Sequence, residues 1–265
     1  MSKAMLIDIT RCIGCRSCQV SCKSWNNLDT EKTSFSNSIT NPPATAAQTF
    51  TMVDFIETEQ HGKPAWRFVK RMCMHCIDPA CVSACFAKAI TKSESGAVVY
   101  NKKNCVGCRY CMLACPWWIP KYEWDKVFPA VKKCRLCIDL LEEGRKPACA
   151  TSCPSAIEFG DREEMLALAR KRISTNPGKY IDHIYGEHEA GGTSVLYLSD
   201  VPFENLGFST KISYEPYPKL TWKALKKVPA LAVGVGASMT AIYMLTHRKE
   251  QVLKAEQDKI EKVGE

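Results

Sequence analysis

The residues of this chain that could do chemistry are its cysteines. All sixteen lie between positions 12 and 153, in four short runs. RCIGCRSCQVSC sets Cys12, Cys15, Cys18 and Cys22 at C-x2-C-x2-C-x3-C, and CMHCIDPACVSAC sets Cys73, Cys76, Cys81 and Cys85 at C-x2-C-x4-C-x3-C. CVGCRYCMLACP repeats the first spacing at Cys105, Cys108, Cys111 and Cys115 and adds Pro116. The fourth run, Cys134, Cys137, Cys149 and Cys153, stretches its middle gap but again ends in a Cys-Pro pair, at Pro154. Every cysteine is used.

Pairs of cysteines two residues apart aim several sulfurs at one small volume, which suits a metal better than long-range disulfides. The start, MSKAMLIDITRC, runs into the first motif with no apolar signal segment and no twin arginine, so a secreted disulfide scaffold is not expected. Four zinc ions would also consume sixteen thiols. A tetrahedral zinc site, however, joins two separated knuckles, whereas cysteines at i, i+3 and i+6 wrap a loop around three corners of a cube. The spacing therefore predicts four [4Fe-4S] clusters.

In the two-cluster ferredoxin pattern, the fourth cysteine of each run crosses to the other cluster. The second and third motifs are neighbours in sequence and should form an inner unit, leaving the first and fourth to pair around it as an outer unit. The expected inner ligand sets are Cys73, Cys76, Cys81 with Cys115, and Cys105, Cys108, Cys111 with Cys85. The expected outer sets are Cys12, Cys15, Cys18 with Cys153, and Cys134, Cys137, Cys149 with Cys22. His75, inside CMHC, is expected to pack or to make a surface hydrogen bond rather than to bind iron.

These loops must be carried by a larger frame. The chain has 265 residues, 46% apolar and 24% charged, enough for a substantial core. TFTMVDFIE at 49–57 and PAWRFVK at 64–70 alternate around the EQHGK turn and predict a hairpin within an insertion at 26–69. NPPATAAQ upstream reads as loop. WWIPKYEW at 117–124 reads as aromatic packing over the clusters. A helix is expected from Asp161 through DREEMLALARKRI, and a strand in GGTSVLYL from Gly191. The fold class is α+β: two nested, bacterial-ferredoxin-like double-cubane units with a hairpin insertion.

The formal charge of +8 counts every cysteine as neutral. Each oxidised cubane on four thiolates brings about −2, so four return the protein to near neutrality. Arg11, Arg16, Lys23, Arg71, Lys102, Lys103, Arg109, Lys132, Lys133 and Arg135, which flank the motifs, read as charge compensation and solvated surface. They form no long basic run, and no nucleic-acid partner is expected. The sequence also shows no phosphate-cradling glycine loop, no nucleophile with a base and no framed carboxylate pair. A chain so equipped moves electrons and leaves bond chemistry to a partner.

Residues 228–246 carry no charge, and at helical rise they span about 28 Å, close to the hydrocarbon thickness of a bilayer. Lys226 and Lys227 clamp one end, and His247, Arg248 and Lys249 the other. Pro229 falls in the first turn, where its missing N–H is harmless. Ala232, Gly236 and Thr240 recur every four residues and give the span a small face suited to close packing on a membrane partner. The expected organisation is a four-cluster domain at 1–160 (outer unit 1–25 with 130–160, inner unit 70–118) and an extension packed on it at 161–225. A transmembrane helix at 226–249 and a polar tail at 250–265 complete the chain.

RCIGCRSCQVSCKSWN, CMHCIDPACVSACF, CVGCRYCMLACPW, CRLCIDLLEEGRKPACATSCPSAIEFG and GGTSVLYLSDVPFENLGF, followed by one C-terminal helix, resemble the iron-sulfur beta subunit of membrane-bound formate dehydrogenases over nearly the whole chain. The resemblance implies a relay between a molybdenum or tungsten bis-pterin catalytic subunit and a membrane cytochrome b that serves quinone. It implies the sixteen cysteines as cluster ligands and residues 228–246 as a single-pass anchor in the cytoplasmic membrane, with the clusters on its outer, periplasmic face. The chain is similar also to the ferredoxin-type subunit of quinone-reducing nickel-iron hydrogenases, and another molybdopterin oxidoreductase would fit the same build. The hydrogenase-type subunit often carries its own twin-arginine signal, which favours the formate dehydrogenase reading. Basic residues on both sides of the span leave the positive-inside count nearly tied.

Overall fold

A computed structural model describes residues 2–60 and 62–263, with the side chains of the last helix described as far as residue 255. In chain order the elements are β1 Lys3–Asp8, α1 Ser17–Trp25, β2 Met52–Gln60, β3 Lys63–Arg71, α2 Ala80–Ser83, β4 Ile90–Lys92, β5 Val98–Tyr100 and α3 Tyr110–Ala114. They continue with β6 Lys121–Tyr122, β7 Val131–Lys132, α4 Ile138–Glu142, α5 Ala148–Thr151, β8 Ile157–Asp161, α6 Arg162–Thr175, β9 Val195–Leu198, α7 Tyr217–Leu225 and α8 Val228–Val263.

The frame is a three-stranded sheet in the order β8-β1-β9, antiparallel between β1 and β8 and parallel between β1 and β9. Its central strand is apolar on both faces, and the two-residue period sorts its side chains into two cores. Met5 and Ile7 enter the main core together with Val195 and Tyr197 of β9. Ala4 and Leu6, with Leu196 and Leu198, meet Met165, Leu166 and Ala169 of α6. That helix begins where the sequence predicts: Asp161 and Glu164 form a reciprocal capping box.

The strand expected in GGTSVLYL thus completes the sheet that carries the first motif. Contacts gather the chain up to Pro218 into one compact unit and the chain from Lys219 into a second, so residues 161–218 are part of the cluster-bearing body.

β2 and β3 pair antiparallel from Met52↔Arg71 to Gln60↔Lys63. The hairpin reaches further toward its turn than the alternation suggests; of the EQHGK turn, His61 lies outside the described residues. β4–β5 and β6–β7 are hairpins of two or three residues per strand. Helix α1 packs on α5, and α2 packs on α3, bringing the first motif to the fourth and the second to the third.

The aromatic stretch differs from expectation. Trp117 is partly buried and donates Nε1–H to the Tyr185 hydroxyl at 3.0 Å, but Trp118 and Trp124 are exposed. The Arg109 guanidinium lies over the Trp124 ring at 5.0 Å. The short β6–β7 hairpin offers too little apolar area to bury these rings, and they face outward.

In the C-terminal unit, α8 runs unbroken through the expected span and into the polar tail, of which Gly264 and Glu265 lie outside the described residues. The stretch Tyr217–Ala255 is long and apolar enough to cross a membrane, and its most apolar window has no buried residue. Hydroxyls inside it are turned back on the helix: Ser238 donates to the Gly234 carbonyl at 2.8 Å and Thr240 to the Gly236 carbonyl at 2.9 Å. This is how a span meets its polar groups without water.

Candidate metal centres

Each motif opens with the same backbone device. The third residue of CIGC, CMHC, CVGC and CRLC has a positive φ in all four: Gly14 at 69°, His75 at 47°, Gly107 at 73° and Leu136 at 54°. The left-handed turn swings peptide N–H groups toward sulfur. Gly107 N–H lies 3.4 Å from Cys105 Sγ, and Leu136 N–H lies 3.4 Å from Cys134 Sγ. At Gly14 a Cβ would also meet the Phe68 ring at 3.0 Å, so two separate constraints require glycine there. The last cysteines are turned similarly, with Ala89 N–H 3.2 Å from Cys85 Sγ and Ala156 N–H 3.3 Å from Cys153 Sγ.

The electrostatics report which thiols are neighbours. Burial raises Cys12, opposed by the Gly14 N–H, and Cys153 and Cys15 raise it further. Burial takes Cys18 up to about 11 against the pull of Lys70, helped by Cys149, Cys12 and Cys153. Cys22 goes to about 12 by burial, with Cys149 and Cys137 adding to it. Cys134 is pushed well above the usual thiol range by burial, then by Cys22 and Cys73. Burial, Cys73, Cys115 and Cys81 do the same to Cys76. Burial and Cys85, Cys105 and Cys108 raise Cys111 to about 11.

The thiols therefore stand in four neighbourhoods: Cys12, Cys15, Cys18 and Cys153; Cys22, Cys134, Cys137 and Cys149; Cys73, Cys76, Cys81 and Cys115; and Cys85, Cys105, Cys108 and Cys111. The fourth cysteine of each run lies with the partner run. Electrostatic influence between neighbourhoods follows a row: Cys18 feels Cys149, Cys134 feels Cys73, and Cys81 feels Cys111. Exposure is concentrated at the ends of this row. Cys15 and Cys108 are exposed, while Cys22, Cys134, Cys137 and Cys149 are all buried.

These donor sets fit a cubane better than a single ion. Among the described residues, no three His, Cys, Asp or Glu side chains converge closely enough to hold one metal ion, which is what tetrahedral zinc requires. The sulfurs instead line small gaps in the packing, Cys22, Cys134, Cys137 and Cys149 around one and Cys85, Cys105, Cys108 and Cys111 around another.

Three basic side chains near these groups are buried. Lys70, at the end of β3, is fully enclosed and bonds to the Thr51 hydroxyl. Burial alone would lower its pKa, but Cys149, Cys18, Cys22 and Tyr197 outweigh burial and hold it above the ordinary lysine value. Lys133, which the sequence reads as charge compensation or surface, is inside, with Nζ 3.8 Å from Cys73 Sγ. His75 is also inside rather than at the surface. Its Nδ1 accepts from Val98 N–H at 2.9 Å and its Nε2 lies 3.5 Å from Cys134 Sγ. Burial, then Lys133 and Lys92, lower the His75 pKa well below the usual imidazole range. Sequence reasoning passed over Lys70. The available signal was its period-two phase with Phe68 and Met72, two residues before the second motif.

Two family models, both described as a 4Fe-4S dicluster domain, match residues 64–162 and 11–89. The iron-sulfur subunit of nitrate-inducible formate dehydrogenase from Escherichia coli K12 is 41% identical over 74% of this chain and 67% of its own length. The formate dehydrogenase-O iron-sulfur subunit of the same strain is 37% identical over 90% of this chain and 80% of its own. The hydrogenase-2 operon protein HybA of Escherichia coli O157:H7 is 38% identical over 77% of this chain and 72% of its own. Two dicluster domains and sixteen cysteines give the chain four [4Fe-4S] clusters. By its cysteine framework, and by its likeness to these relatives across most of its length, the chain belongs to the family of four-cluster, electron-transferring iron-sulfur subunits.

Proposed function

We propose that this chain relays electrons from the molybdenum or tungsten bis-pterin catalytic subunit of a formate dehydrogenase to a quinone-reactive cytochrome b subunit in the cytoplasmic membrane. The observation that carries the proposal is the row of four crossed thiol neighbourhoods, exposed at both ends and closed in the middle. Bound clusters supply one-electron acceptance and release without bond making. The residues of the chain hold the four sites in sequence, enclose the group of Cys22, Cys134, Cys137 and Cys149, and place cations between the sites.

In this reading, Cys12, Cys15, Cys18 and Cys153 hold one terminal cluster and Cys85, Cys105, Cys108 and Cys111 the other. Cys22, Cys134, Cys137 and Cys149, and Cys73, Cys76, Cys81 and Cys115, hold the middle pair. The packing of α1 on α5 and of α2 on α3 supports the crossing, because each helix pair carries cysteines of both partner motifs. Residues 228–246 anchor the relay in a single pass, with the cluster body on the periplasmic face.

Anaerobically purified complex is expected to reduce a quinone analogue with formate. Its large subunit should contain molybdenum or tungsten, and this chain about sixteen irons and sixteen acid-labile sulfides without zinc. Hydrogen-driven activity with nickel in the large subunit would instead make the chain a hydrogenase relay, as the likeness to the hydrogenase-2 protein allows. An iron content near eight would defeat the four-cluster assignment.

The crossing has its own test. Cys115→Ser should alter the same paramagnetic centre as Cys73→Ser and leave the centre marked by Cys105→Ser unchanged. A signature shared with Cys105→Ser would mean that each motif closes on itself.

A further inference from the structure

His75 and Lys133 meet where the inner and outer units face each other. His75 belongs to the loop of Cys73 and Cys76, yet its Nε2 is 3.5 Å from Cys134 Sγ in the other unit. Lys133 immediately precedes Cys134, yet its Nζ is 3.8 Å from Cys73 Sγ. Each side thus extends a donor to the other's sulfur.

One residue aligns both donors. Val98, in β5, gives its N–H to His75 Nδ1 at 2.9 Å and accepts from Lys133 Nζ at its carbonyl. Because Nδ1 is an acceptor here, the ring proton of the neutral imidazole is on Nε2, facing sulfur. Lys133 places its remaining N–H groups on the Cys134 carbonyl, at 2.6 Å, and on Cys73 Sγ, so all three have an acceptor. His75 is fully buried, and it occupies a left-handed position that two of the other motifs give to glycine.

We propose that this reciprocal junction is the tuned link between the two double-cluster units, in which His75 raises the reduction potential of the cluster bound by Cys134 and Lys133 that of the cluster bound by Cys73. A donor or cation at a ligand thiolate favours the more negative, reduced cluster. One electron leaves one cluster, which is oxidised, and enters the other, which is reduced. The protons stay on Nε2 and Nζ throughout. Both residues are positioning groups that act through the thiolates, and the inference rests on the ligand assignment proposed above.

The test is a potentiometric titration of the intact complex followed by low-temperature electron paramagnetic resonance, with centres identified by Cys134→Ser and Cys73→Ser. His75→Asn tolerates a positive φ and still offers Val98 an oxygen, but is too short to reach Cys134. It should lower the potential of the Cys134 centre by about tenfold in the reduction equilibrium, or about 59 mV for a one-electron couple, while the Cys73 centre moves much less. Lys133→Gln, which keeps a polar group without the charge, should lower the Cys73 centre by at least as much. A His75→Asn shift confined to the Cys73 centre, or no shift in either variant, would overturn the junction. If Cys134→Ser and Cys73→Ser mark the same centre, the ligand assignment itself has failed, and the junction falls with it.

Discussion

Ending the chain after Lys227 is expected to move the cluster body, with its catalytic partner, from the membrane fraction to the soluble fraction. The removed segment holds the whole uncharged run 228–246, and burying such a run in a bilayer outweighs the contacts that a soluble domain makes with a membrane surface. Fractionation of membranes carrying the truncated chain checks this directly; continued sedimentation would mean that the span is misread. Hydrophobicity should not be the whole of its role. Ala232, Gly236 and Thr240 lie on one helix face, a Cβ at Gly236 would meet nothing within 4 Å, and Thr240 is folded back onto the Gly236 carbonyl. Such a face lets another helix approach closely. Gly236→Leu keeps the span insertable but fills that face. It should weaken copurification of the membrane partner and slow quinone reduction several-fold, while reduction of a soluble dye by the catalytic subunit persists. Unchanged assembly and quinone reduction would reduce the helix to a tether.

Removal of iron is expected to unfold the inner unit first. Between residues 72 and 134 the regular structure consists of two α-helices of four and five residues, a three-residue 3-10 turn at Lys102–Asn104 and four strands of two or three. Isolated helices that short lie far below the length at which helices persist in water, and two-stranded ribbons are marginal at best. The small local core includes Cys81 and Cys111 among its five buried members, beside Ile90, Val98 and Val131. Iron–thiolate bonds therefore supply much of the cohesion there, and binding free energy becomes folding free energy. The sheet β8-β1-β9 under α6 has an apolar core of its own and should outlast it. Hydrogen exchange before and after anaerobic chelation checks the order. Protection at residues 90–100 should fall to that of an unfolded chain, while Ala4, Leu6, Leu196 and Leu198 stay protected; equal retention in both regions would show that the clusters are not structural.

Much of this architecture can be read from the sequence because its strongest signals are local. Cysteine spacing, the Asp161 capping box and the uncharged run 228–246 each depend on residues within a few turns of one another. The crossing proposed for Cys22 and Cys153, and for Cys85 and Cys115, follows from a known pattern once the motifs are paired. Less legible are features that depend on what arrives from far away. β9 reaches β1 across nearly two hundred residues, and nothing within VLYL specifies a parallel partner. Lys70 and Lys133 look like any basic residue beside a motif, yet they are buried because thiols from distant runs surround them. His75 reads as packing until Val98 and Cys134 stand on either side of its ring. The exposed Trp118 and Trp124 err in the other direction, since aromatic composition alone cannot tell a core from an uncovered face.

The uneven burial of the cysteines has a consequence for leakage. A relay that holds electrons at low potential loses them to dioxygen or any small oxidant that comes within tunnelling range, and that loss falls steeply with the thickness of protein in between. Here Cys15 and Cys108 meet solvent, whereas the group of Cys22, Cys134, Cys137 and Cys149 is sheathed throughout. If the chain is the relay proposed above, it is an insulated cable with bare ends, and its tolerance of air would depend on how well neighbouring subunits cap those two cysteines.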